Sequence, residues 1–184
     1  MNHYVDIQIK PDAEMRENVL LNKVYTKFHK ALFDLNATDI GISFPQVDIK
    51  LGQVLRIHGT QERLQQLQDK NWLGGLIGYC NVSDVKPIPE TGVKYRTVSR
   101  VQSQMTQAKL RRLIKRGSFS DEDIKAYKAK MFSQSLDEPY LELFSNTRKK
   151  LYRRYIKHGE LKNSPTNGQF DQFGLSKNAT IAWF

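Results

Sequence analysis

One cysteine, Cys80, is all the chain has, so no internal disulfide can form and a reducing compartment is expected. Paired-cysteine and His-x-x-x-His spacings are missing, which leaves zinc without a ligand set; no metal and no cofactor are expected. There is no Walker loop and no dinucleotide-binding glycine fingerprint. No apolar run approaches the ~20 residues that span a bilayer, and no lipidation motif occurs. The first ten residues contain Asp6 and no apolar h-region, so they do not read as a signal peptide. A cytoplasmic protein without membrane attachment is the expectation. The most telling shortage is local: from Lys94 to Arg116 there is neither Asp nor Glu.

What that stretch does contain is Lys94, Arg96, Arg100, Lys109, Arg111, Arg112, Lys115 and Arg116. Its first part alternates like a strand, with Tyr95, Thr97, Ser99 and Val101 on one side and Arg96, Val98, Arg100 and Gln102 on the other. From Gln104 the period becomes helical. Leu110, Leu113 and Ile114 form a narrow apolar stripe, Lys109, Arg112 and Arg116 share a polar face, and Gly117 is a natural stop. Spacing of four stacks Arg112 over Arg116, which suits a ladder of phosphates. The wider balance agrees. Residues 1–90 carry 10 basic and 11 acidic side chains, whereas residues 91–184 carry 19 and 8. A near-neutral half joined to a strongly basic one predicts a scaffold plus a polyanion-binding face. A solvated basic helix face remains the plain alternative.

Taken in order, His3–Lys10 alternates around Val5, Ile7 and Ile9 and predicts a half-buried strand, broken at Pro11. Leu20, Val24, Phe28, Ala31 and Leu35 recur at helical spacing from about Glu17 to Leu35. Ile40–Phe44 reads as a second strand. Val54–His58 reads as a third, with Leu55 and Ile57 inward and Arg56 and His58 outward. Thr60 can cap a helix whose Leu64, Leu67 and Trp72 face the core, and Leu76–Val85 supplies a fourth strand. The order β-α-β-β-α-β is the ferredoxin-like one. An α+β chain is therefore expected, with a ferredoxin-like domain over residues 1–90 and a basic C-terminal domain over 91–184. Beyond the basic helix, Ser120 and Asp123 make a capping box, so Asp121, Glu122 and Asp123 read as first-turn charge rather than metal ligands. Tyr140–Phe144 and Leu151–Lys157 read as strands around a polar loop.

With metal and nucleotide motifs missing, what remains is His, Ser and Tyr chemistry beside a basic surface. Of the four histidines, His29 stands out: it lies on the first helix beside Phe28, one turn after Tyr25, where packing can hold it while it still reaches outward. If the partner is RNA, such a base needs no metal. A deprotonated ribose 2′-OH attacks the adjacent phosphate and leaves a cyclic phosphate and a 5′-OH.

Several stretches together resemble the CRISPR repeat-processing endoribonuclease of type I-F systems, a Cas6-class enzyme. They are His3-Tyr4-Val5-Asp6-Ile7, Lys27-Phe-His-Lys-Ala-Leu32, Gly41-Ile-Ser-Phe-Pro45, Leu55-Arg-Ile-His58 and Tyr95-Arg-Thr-Val-Ser-Arg-Val-Gln102. Leu110-Arg-Arg-Leu-Ile-Lys-Arg116, Ile156-Lys-His-Gly159, Phe173-Gly-Leu-Ser-Lys177 and Trp183-Phe184 complete the set. The resemblance spans the chain in order. It implies a ferredoxin-like domain followed by one with an arginine-rich helix. It also implies binding of a CRISPR repeat stem-loop, metal-free cutting at the 3′ base of the stem, and assembly with other proteins of the I-F surveillance complex.

Carried over residue by residue, the resemblance makes His29 the general base and Ser145 the residue that positions the 2′-OH. Arg100 and Gln102 become readers of the lowest stem pairs, a role their bidentate geometry permits where the narrow A-form major groove opens at the stem's end. Arg112 and Arg116 become phosphate contacts, with Lys109, Arg111 and Lys115 as substitutes because the helix aligns with a one-residue gap. Tyr152 stacks on a base at the foot of the stem, and Thr147 keeps the hydroxyl of a family serine. Phe173 departs from the pattern, where a tyrosine stands near the histidine. A non-cleaving RNA stem-loop-binding module and a structural ribonucleoprotein subunit remain as alternatives, although no aromatic RNP1 pattern supports an RRM.

Overall fold

The computed structural model describes residues 1–102, 105–133, 136–145 and 149–184. It mixes helix and antiparallel sheet. The alternating residues at the start form β1 (His3–Ile9), with Val5, Ile7 and Ile9 buried. β1 pairs along its length with β3 (Val54–Gly59) and at its C-terminal end with β4 (Cys80–Val82), while β2 (Gly41–Ser43) extends the sheet beyond β3. The order is β2-β3-β1-β4, with β5 (Lys86–Pro87) beside the start of β1. Two helices cross over between strands. α1 (Glu17–Asp34) buries Leu20, Leu21, Val24, Tyr25, Phe28, Ala31 and Leu32, and ends where Asn36 turns to φ 47. α2 (Gln61–Asp69) begins at Thr60, whose side chain accepts from the Arg63 N–H, and buries Leu64 and Leu67.

Two expectations about this half are corrected. Leu76–Val85 is not one strand: Gly74–Tyr79 coils into a short 3-10 helix, and only Cys80–Val82 joins the sheet. Gly74 at φ 52, with Gly75 and Gly78, gives that segment little to lay on a sheet. The second correction is His58, which is buried rather than outward. It shares its sheet face with Tyr4, Gly41, Ser43 and Arg56, and the chain's C-terminus covers that face. A Cβ at Gly41 would strike Ile181 and Phe170, and the Phe184 ring lies over the Arg56 guanidinium. Burial holds His58 neutral, its pKa down at about 3, with Arg56 adding to the effect. Its Nε2 lies 2.8 Å from Ser43 Oγ.

The basic half builds two more sheets. β6 (Lys94–Arg96) pairs with β10 (Ile181–Trp183), and β7 (Val98–Val101) pairs with β9 (Lys150–His158), which pairs in turn with β8 (Tyr140–Ser145). The single strand expected from Tyr95 onward therefore changes sheets at Thr97, whose carbonyl accepts from the Gly159 N–H. α3 (Gln107–Lys115) is capped by Thr106, and α4 (Asp121–Ser133) opens on the reciprocal Ser120–Asp123 capping box. The apolar stripe of α3 is thinner than its spacing suggests: Leu110 is buried, while Ile114 is 44% exposed. One buried core runs from Val5 through Val98, Leu141 and Ile156 to Ile181. No helix of the described residues is long and apolar enough to cross a membrane.

Candidate active site and basic face

The helical period that buries Tyr25, Phe28 and Leu32 leaves His29 at the edge of the stripe, half-buried. Its Nδ1 lies 2.7 Å from the Gln172 carbonyl oxygen. A carbonyl only accepts, so Nδ1 carries the hydrogen, and a neutral ring then keeps its lone pair on Nε2. That is the tautomer a general base requires. The imidazole lies flat on the Phe173 ring, centroids 3.6 Å apart and planes 10° from parallel.

The turn that presents Phe173 is held by several hydrogen bonds. Asp171 Oδ1 accepts from the N–H groups of Phe173 and Leu175, both at 2.9 Å, and the Tyr25 hydroxyl donates to the Phe173 carbonyl at 2.9 Å. Gly174 sits at φ 71, and a Cβ there would approach Ile42 to 2.9 Å and Phe28 to 3.2 Å. Only glycine combines that backbone with that close approach. Burial pushes the Tyr25 phenol far up from its ordinary pKa, with Arg154 pulling the other way. The hydroxyl therefore stays a donor.

On the opposite side of this cluster stands the β7-β9-β8 sheet. Alternation and register place Arg100, Ser145, Tyr152, Arg154 and Ile156 on one face, with Leu141 and Leu143. Leu141, Leu143 and Ile156 are buried in the core shared with α1. Arg154 is 3% exposed, and its guanidinium carbon lies 3.5 Å from the centroid of Phe173 and 6.0 Å from that of Tyr152. The other face of the sheet is open, with Phe144 51% and Leu151 69% exposed.

The structure thus brings Phe173, with His29 stacked on it, against Arg154 on the face that also bears Arg100, Ser145 and Tyr152. Gln102 follows β7 directly and is exposed. Lys109, Arg111, Arg112, Lys115 and Arg116 are all exposed on or just after α3, which packs on α4. Arg112 Nε donates to the Ala108 carbonyl at 3.3 Å. Thr147 lies outside the described residues. A cavity of about 640 Å³ between the start of α1 and the β8–β9 hairpin holds none of these side chains.

Sequence reasoning passed over three groups that set up this cluster: the Gln172 carbonyl, which meets His29, and the Asp171 carboxylate and Arg154, which hold Phe173. The first depends on a long-range fold of the chain and leaves no local trace, whereas Asp171 bonds to N–H groups two and four residues on, a local turn signal. Arg154 left a trace as well, being an arginine in phase with Tyr152 and Ile156 on an inward-facing strand.

A family model described as "CRISPR-associated protein (Cas_Csy4)" matches residues 4–184. The chain is 39% identical over 186 residues to the "CRISPR-associated endonuclease Cas6/Csy4" of Escherichia coli (strain UTI89 / UPEC). It is 34% identical over 188 residues to the protein of the same name from Pseudomonas aeruginosa (strain UCBPP-PA14). Both alignments cover the whole of each chain. Among solved structures, the CRISPR endoribonuclease Cse3 bound to a 19 nt RNA aligns over the full chains at 11% identity and a TM-score of 0.37, too loose a likeness to carry an argument.

Proposed function

Since the chain belongs to the Csy4 family of CRISPR-associated endonucleases, we propose that it binds the stem-loop of a CRISPR repeat RNA and cuts at the 3′ base of the stem without a metal. The observation that carries this reading is the state of His29. Its Nδ1–H is committed to the Gln172 carbonyl, so Nε2 is the nitrogen able to take a proton. In the reaction Nε2 removes the 2′-OH proton, and the freed oxygen bonds to the adjacent phosphorus. The bond from phosphorus to the 5′ oxygen breaks, and that oxygen takes up a proton from water as it leaves, while the imidazolium returns its proton to solvent. The products are a 2′,3′-cyclic phosphate and a 5′-OH.

Ser145, at the end of β8 on the face turned toward this cluster, is the residue to orient the 2′-OH. Arg100 and Gln102 read the lowest base pairs, Tyr152 stacks on a base at the foot of the stem, and Thr147 offers a further hydroxyl. Arg112 and Arg116, with Lys109, Arg111 and Lys115 beside them, track the phosphates from a helix whose basic side chains are all solvent-facing. The β-α-β-β-α-β order and the β2-β3-β1-β4 sheet support reading residues 1–90 as a ferredoxin-like domain. Residues 91–184 would then be the RNA-recognition domain. The processed RNA stays bound by its stem and carries the protein into a type I-F surveillance complex.

Incubation with a repeat hairpin in EDTA tests the reading. A single cut at the 3′ base of the stem is expected. Binding without cutting would leave a stem-loop-binding module, and cutting restored only by added divalent cations would replace the metal-free reaction.

A further inference from the structure

The side chain that asks most insistently for an explanation is Arg154. An arginine almost fully removed from water is destabilising unless charge and hydrogen bonds compensate. Yet its Nε makes no hydrogen bond among the described residues. On the inward phase of β9, between Tyr152 and Ile156, an apolar side chain would fit the surroundings of Leu141 and Ile156 without that cost. What the guanidinium does have is the face of Phe173 at 3.5 Å, closer than its 6.0 Å approach to Tyr152. A desolvated cation is attracted to an aromatic face more strongly than an exposed one.

Phe173 has two faces, and His29 occupies the other at 3.6 Å. The order is guanidinium, phenyl, imidazole, three flat groups in a stack. The backbone of Phe173 is already fixed by Asp171 and Tyr25, so rotation of the ring is the freedom left to it. Phenylalanine has no hydroxyl with which to stop that rotation. From this geometry we infer that Arg154 is a positioning residue for His29. It clamps the Phe173 ring from behind, and the ring in turn sets the plane of the imidazole and the direction of Nε2. The inference rests on His29 being the base.

The experiment combines Arg154→Met, which keeps length and removes the cation, with Arg154→Lys, Phe173→Leu and the Arg154→Met/Phe173→Leu double variant. Single-turnover cleavage of the repeat hairpin is measured beside the Kd for a hairpin carrying deoxyribose at the cut. The imidazole C–H resonances of His29 are followed by NMR without RNA. Arg154→Met is expected to slow cleavage ~10–100-fold, the scale of a sub-ångström misplacement, with Kd unchanged. Phe173→Leu should slow it comparably, and Arg154→Met should add nothing in that background, because both act through one ring. Arg154→Lys keeps the charge and should cleave faster than Arg154→Met. The ring-current shift that Phe173 imposes on His29 should shrink in Arg154→Met.

Losses that multiply in the double variant, a rate equal to wild type, or a Kd that weakens in step with the rate would each overturn the inference. If Arg154→Met does not fold, Arg154→Lys carries the test: its His29 resonances and rate must both fall short of wild type. If the wild-type protein cuts nothing while the His29 resonances still move, the clamp stands and the proposed reaction falls.

Discussion

His29 and the α3 arginines are held in opposite ways. His29 is fixed by a 2.7 Å hydrogen bond at Nδ1, a flat ring at 3.6 Å and the cation behind that ring. The basic side chains of α3 are exposed, on a helix that buries Leu110 alone. A base that removes one proton from one oxygen gains from a single orientation. A side chain that meets a phosphate through charge gains from reach, and its geometry is completed by the partner. The proposed labour is therefore divided: the packed region sets the chemistry, and the open one sets affinity.

The widest separation should come from removing the base. His29→Ala is expected to lower the cleavage rate ~10²–10⁴-fold with hairpin binding nearly intact, read by single-turnover kinetics beside a filter-binding titration. Equal loss of binding and rate would erase the contrast between the two regions.

Next comes readout. Arg100→Ala or Gln102→Ala should cost ~1–3 kcal/mol of binding, concentrated on hairpins that retain the native pairs at the foot of the stem. Titrating hairpins with those pairs exchanged checks it. Losses that are the same for every hairpin would move both residues into the merely electrostatic class of α3.

The packed region should also be the acid-sensitive one. Burial, aided by Arg56 for His58 and Arg96 for His158, holds their pKa values at about 3 and about 4. Between pH 6.5 and those values the unfolded chain takes up a proton that the folded one refuses. Stability is therefore complete above pH ~6.5 and falls as the pH drops, by ~2 kcal/mol per histidine at pH 5. Urea midpoints at pH 7 and pH 5 measure the slope, and His158→Gln should flatten it. An unchanged slope in that variant would place the acid sensitivity elsewhere.

Smaller effects belong to α3. Arg112→Ala and Arg116→Ala should each weaken binding modestly and lower the log–log salt slope by ~0.7–0.9, with cleavage of bound RNA unchanged. A fall in affinity at constant slope would mean that these arginines touch no phosphate.

How far this division could be read from sequence follows the same line. In the first half β1 and α1 were legible because alternation and 3.6-residue spacing record burial directly, as in Val5, Ile7 and Ile9 or Leu20, Val24 and Phe28. Leu76–Val85 has no such period and was misread as one strand. Caps at Thr60 and Ser120 were legible because their partners lie three residues away. His58 was misread because alternation says which residues share a face but not what later covers it; the cover comes from Phe170, Ile181 and Phe184. The setting of His29 was only half legible for the same reason, since Gln172 and Phe173 reach it from across the chain.

The most direct measurement replaces the ribose just upstream of the cut with deoxyribose. Wild-type protein should bind this hairpin as tightly as the all-ribose one and leave it uncut, because the nucleophile is gone. Cleavage at the normal rate, or a product bearing a 3′-OH and a 5′-phosphate, would contradict the account, since water would then be the attacking group and His29 an ordinary packed histidine.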